Sequence, residues 1–127
     1  MKKFIPLLFL LFVVVGCRTR LNDESDMKVK LADKVFRTVD PISKEQTVNF
    51  AATATSGQFS AYVFLEKDKA EVEKAVDSGK DSPKVIQKDL KTTKATLSAT
   101  VPANERVVIM VLSGDGKDAE VKVKITN

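Results

Sequence analysis

Apolar and polar positions follow two different rules along this chain. Ile5 to Val15 is a continuous apolar run, whereas from Met27 onward apolar residues recur at every second position. Period-two alternation marks half-buried strands. Val29 and Leu31 begin one strand, and Val35, Arg37 and Val39 form a second, stopped by Asp40-Pro41. Val48, Phe50, Ala52 and Ala54 alternate with Thr47, Asn49, Ala51 and Thr53, up to a turn at Ser56-Gly57. Gln58 to Leu65 sets Phe59, Ala61, Val63 and Leu65 on one face and Tyr62 and Phe64 on the other, so both faces are expected to be covered. Ala95, Leu97, Ala99 and Val101 alternate with Lys94, Thr96, Ser98 and Thr100. After a turn at Pro102–Glu105, Arg106–Leu112 contains six consecutive apolar residues, rich in β-branching, and reads as a central strand. Ser113–Asp118 reads as a hairpin loop joining it to a last strand. There Ala119, Val121, Val123 and Ile125 face inward, and Glu120, Lys122 and Lys124 face water.

One segment departs from this rhythm. Asp68 with Glu71 three residues on forms a capping-box-like start, and Val72, Ala75 and Val76 share a helical face, before Gly79 stops the helix. Residues 80–93 are charged and irregular, with a short strand expected at Lys84–Ile86. Strands about ten residues apart with turn signals between them predict a mainly β fold. The expected architecture is a two-sheet antiparallel β-sandwich with one short accessory helix at about 68–78. That helix is expected to cover the second face of Val107–Leu112. The layout resembles the small β-sandwich domains of the bacterial pre-peptidase C-terminal type that accompany secreted enzymes, and this resemblance implies a shape only.

The first seventeen residues carry a separate signal. Lys2 and Lys3 precede the apolar run, which has 11 residues, and Gly16 stands just before Cys17. This is signal-peptide architecture; a bilayer-spanning helix needs about 20 apolar residues. Val14-Val15-Gly16-Cys17 resembles the lipobox of bacterial lipoproteins, with Val14 where Leu is usual. The resemblance implies cleavage between Gly16 and Cys17 and acylation of Cys17, palmitate being the kind of chain expected. It implies a cell-envelope location, and Arg18 in place of Asp implies the outer membrane if the host has two. Residues 1–16 are then a signal peptide, 17–26 the lipidated cysteine with a flexible polar tether, and 27–127 the β-sandwich domain.

Charge adds little to this picture. The chain carries 21 basic and 17 acidic residues, a net charge of +4. Lys2 and Lys3 belong to the signal, so the rest balances at +2, with both signs interspersed. That is a solvated surface rather than a nucleic-acid footprint. With no histidine and one cysteine, Ser-His-Asp and Cys-His arrangements and His-containing zinc motifs are unavailable. Glu66, Asp68, Glu71, Glu73 and Asp77 are the carboxylates nearest to an acid/base set, and they sit in a lysine-rich segment where solvated pairing accounts for them. Asp115 and Asp118 are weak candidates for a calcium site, which needs six to eight oxygens. Hairpin loops use Asp and Gly for backbone reasons alone. Phe36, Phe50, Phe59 and Phe64 read as core, and Tyr62 as core boundary. No cofactor is expected. The expected function is a non-enzymatic, lipid-anchored structural or binding module. The alternative is an accessory subunit docking onto an envelope complex or a secreted enzyme. The expected partners are the membrane and an envelope protein.

Overall fold

The alternating segments form strands where expected, and the structure, a computed structural model describing residues 21–127, arranges them in two four-stranded antiparallel sheets. In chain order the elements are β1 (Asn22–Val29), β2 (Lys34–Val39), β3 (Gln46–Ser56), β4 (Phe59–Leu65), helix α1 (Lys69–Asp77), β5 (Gln87–Thr92), β6 (Lys94–Val101), β7 (Val107–Ser113) and β8 (Ala119–Thr126). A 3₁₀ turn, Glu66–Asp68, leads into α1. One sheet has the order β1-β8-β3-β6 and the other β2-β7-β4-β5.

The pairing is nested. The first strand pairs with the eighth, the second with the seventh, the third with the sixth and the fourth with the fifth, with β3–β8 and β4–β7 contacts completing the sheets. This is jelly-roll topology: one long two-stranded ribbon, closed at the β4–β5 connection that carries α1, wrapped into a sandwich. Paired connections cross between the sheets side by side. Leu31 N–H donates to Asp118 Oδ1 (3.0 Å), joining the β1–β2 turn to the β7–β8 loop. Asn104 N–H donates to the Ile42 carbonyl (2.8 Å), joining the β6–β7 and β2–β3 connections.

Two cores result, one on each face of the second sheet. Between the sheets lie Val29, Val48, Phe50, Phe59, Val63, Val101, Ile109 and Val123, among others. On the outer face of the second sheet, α1 lays Val72 against Phe64, Val108 and Met110, with Phe36, Tyr62 and Val76 at the margin. The expectation for Val107–Leu112 holds: Val107 to Val111 are all buried, Leu112 is half-buried, and α1 covers the second face. Lys69 Nζ lies 4.2 Å from the centroid of the Phe36 ring, a cation–π contact at the edge of this layer.

The structure corrects four expectations. First, β7 and β8 are not a hairpin; they lie in different sheets. The reason is the chemistry of their faces. β7 is apolar on both sides, whereas β8 has one wet side. As neighbours they would set Glu120, Lys122 and Lys124 beside Val108 and Met110, under the helix. Second, the expected tether 17–26 overlaps β1, which starts at Asn22 and pairs with β8 from Asn22↔Thr126 to Val29↔Ala119. The β8 edge supplies backbone partners that polar side chains facing solvent do not oppose, so the folded domain begins before Met27. Leu31 in turn lies past the end of the strand, in the exposed turn. Third, the extended segment after Pro83 forms at Gln87–Thr92, not at Lys84–Ile86. Fourth, Asp68 precedes α1 but makes no side-chain cap bond, because it is itself the last residue of the 3₁₀ turn that runs into the helix.

Candidate functional site

The residues that carry the anchoring expectation, Gly16 and Cys17, lie outside the described residues. The described chain begins at Leu21, whose N–H donates to Asn127 Oδ1 at 2.8 Å. Chain entry and chain end therefore meet at one end of the sandwich. The β2–β3 connection reaches the same place. Together they enclose an open cleft of about 680 Å³, lined among others by Leu21, Ile42, Lys44, Glu45, Thr47 and Lys124. An adjoining cleft of about 370 Å³ shares Leu21 and Ile42 and adds Asp23 and Asp40. The larger cleft thus carries two lysines and one carboxylate, Glu45, and the smaller one carries Asp23 and Asp40 and no lysine among the residues that line it. Sequence reasoning missed this cleft. Its apolar lining residues, Leu21 and Ile42, sit in polar stretches without periodicity.

The open β1–β2 edge is guarded from within. Arg37 shares the inward face of β2 with Val35 and Val39, and its Nε donates to Ser25 Oγ on β1 at 3.2 Å. An inward charge at a sheet edge discourages pairing with another strand.

The carboxylate candidates do not converge. Lys34 Nζ sits 2.6 Å from Asp77 Oδ1 and 3.9 Å from Glu73 Oε1, so these two acids tie α1 to β2. Glu66 and Glu71 are exposed and Asp68 is half-buried. Asp115 and Asp118 share a loop but serve the backbone separately. Asp115 Oδ1 accepts from Lys117 N–H (3.3 Å), and Asp118 Oδ1 from Leu31 N–H. Among the described residues, no three His, Cys, Asp or Glu side chains are grouped to hold a metal ion.

One titrating cluster lies on β4 and β5. Tyr62 stands opposite Lys88, which pairs with Asp81. Burial pushes the Tyr62 hydroxyl above the usual tyrosine value, and the Lys88 charge partly offsets that. The hydrogen bond from Lys88 holds the Asp81 carboxyl below its usual range. The Lys88–Asp81 pair is solvent-exposed.

No family model matches the sequence, and no curated protein matches it. Solved structures of similar shape exist. The pre-peptidase C-terminal domain of a collagenase from Bacillus anthracis matches with a TM-score of 0.57 and 9% identity, over 83% of this chain and 89% of that one. PliG from Aeromonas hydrophila, a periplasmic inhibitor of g-type lysozyme, matches with a TM-score of 0.51 and 11% identity, over 86% and 87%. CorA from Methylomicrobium album BG8, a surface-associated copper-binding protein, matches with a TM-score of 0.52 and 11% identity, over 81% and 92%. At such identities the likeness shows the β-sandwich fold, including the expected resemblance in shape to pre-peptidase C-terminal domains, and nothing beyond it.

Proposed function

We propose that this chain is a lipid-anchored envelope protein whose jelly-roll domain is a non-enzymatic structural or binding module. The observation that carries this reading is that the described residues close both cores on themselves. Every buried apolar residue among them lies between Met27 and Ile125, and only Leu31, Ile86 and Leu90 are large and exposed. The N-terminal apolar run is not needed to complete that core, which leaves it free to act as an export signal. The lipobox-like Val14-Val15-Gly16-Cys17 overlaps the end of that run. The carboxylates are scattered, with Glu73 and Asp77 tied to Lys34, which supports a binding or structural role over catalysis. Acylation of Cys17 is tested by metabolic labelling with an acyl-chain probe. Wild type should label, and Cys17→Ser should not, leaving uncleaved or mislocalised precursor. Equal labelling of the two would end the lipoprotein reading.

The alternative, an accessory subunit docking onto an envelope complex or a secreted enzyme, draws on one feature. Leu31 is 56% exposed in a turn where Ala32 holds a left-handed backbone (φ 71°). It borders a groove of about 250 Å³ lined also by Val76 and Leu112. Co-purification of a single stoichiometric partner that is lost on Leu31→Ser would favour this reading over the first.

A further inference from the structure

The two ends of the sandwich are unequal with respect to the point where the chain enters it. Cys17 and Leu21 are four residues apart, so their Cα atoms are separated by at most about 14 Å. From Asn22, β1 runs away from that point for eight residues, a rise of about 23 Å at about 3.3 Å per step. The β1–β2 turn, the β7–β8 loop and the C-terminal end of α1 all lie at that far end. At the near end stands the larger cleft, lined by Lys44 and Lys124 together with Leu21 and Ile42. Both lysines are exposed, and neither forms an ion pair among the described residues. Glu45 is the one acidic side chain lining the same cleft, and the sequence adds Arg18 and Arg20 between the cysteine and Leu21. Two further carboxylates of this end, Asp23 and Asp40, line the other cleft.

From this we infer that the Lys44–Lys124 cleft is a membrane-facing surface that seats on anionic lipid headgroups. It holds the sandwich upright and presents the Leu31 turn and the Gly114–Asp118 loop away from the bilayer. The inference rests on the lipid-anchor reading. Short reach brings the cleft to the bilayer, and charge selects the side that touches it. Attraction between exposed charges fades over a Debye length of about 8 Å at physiological salt, and a tether this short allows the cleft to approach the headgroups to within that distance. Basic groups beside an anchor reinforce a single acyl attachment by attraction to anionic lipid. The acidic cleft is turned from the surface by the same field.

The chain contains no tryptophan, so a single introduced one reports its own position. Thr47→Trp places it beside the larger cleft, and Lys117→Trp at the far end. Both sites are exposed. Each protein is extracted from the membranes of producing cells and its mass measured for acyl groups on Cys17. It is then reconstituted into vesicles of phosphatidylcholine with phosphatidylglycerol as a minority component, doped with a headgroup-nitroxide lipid. Quenching should be severalfold stronger at position 47 than at 117. It should weaken in phosphatidylcholine alone, and the difference should disappear when Lys44→Glu and Lys124→Glu are combined with Thr47→Trp. The thermal melt of the reversed variant checks that it is folded. Acylated protein quenched equally at both positions, or unaffected by the double charge reversal, overturns the orientation alone. An unacylated Cys17 overturns the anchor, and the orientation with it.

Discussion

Ile109→Ala tests the register of the central strand. Ile109 is fully buried between the sheets, paired with Arg37 on β2 and Val63 on β4. The substitution removes three carbons. At about 0.8 kcal/mol per buried methylene the lost transfer energy is about 2.4 kcal/mol. A residual cavity of about 60 Å³ adds about 1.4 kcal/mol at about 24 cal/mol per Å³. The sum is close to 4 kcal/mol, within the range of about 2–5 kcal/mol for large-to-small core changes. The control is Lys122→Ala on β8. Its ammonium is 3.8 Å from Glu24 Oε1, with both side chains more than half exposed. Such a pair contributes little, so the cost should stay below about 0.5 kcal/mol. Urea unfolding of residues 18–127, followed by circular dichroism, gives both values from the shift in midpoint at constant slope. Two variants of equal stability would refute the register and the sandwich built on it.

Three further outcomes follow from particular contacts. Gly57 and Gly116 both have φ 74°, but a Cβ on Gly57 would stand 2.7 Å from the Asp118 carbonyl oxygen, whereas one on Gly116 meets nothing. Gly116→Ala should therefore cost about 1–2 kcal/mol for the left-handed backbone, and Gly57→Ala measurably more in the same melts. Tyr62 is the one tyrosine, so phenolate absorbance reports it alone. Its folded value is raised above 10.0, so its contribution to stability is full below that pH and is lost as pH rises through the folded value; the native protein should titrate at higher pH than the urea-unfolded chain. Limited trypsin digestion should cut at Arg20 and spare Lys28, which lies within β1. Early release of a fragment beginning at Val29 would mean that β1 is not docked on β8.

Much of the fold was written in the faces of individual segments. β3, β6 and β8 were legible because each alternates strictly, and β4 and β7 because an apolar second face demands a cover. The helix 68–78 was legible as the amphipathic element that supplies it. Two strands were not legible. The first five residues of β1 and all of β5 lie at sheet edges with their side chains largely wet, where one backbone partner is enough to hold a strand, so NDESD and QKDLKT read as tether and loop. The candidate site divides in the same way. The lipobox resemblance is a local pattern, whereas the cleft depends on Leu21 meeting Asn127, 106 residues apart.

By itself, then, the sequence determined which residues face the core, because burial is a property of each position's neighbours at period two or at the helical repeat. The tertiary structure decided which strands pair. Adjacency along the chain favours the β7–β8 hairpin. The nested jelly roll replaces it because separating β7 from β8 buries both faces of β7 and keeps the lysines of β8 in water. Local periodicity records how wet each face is, but not which distant edge will complete a strand's hydrogen bonds.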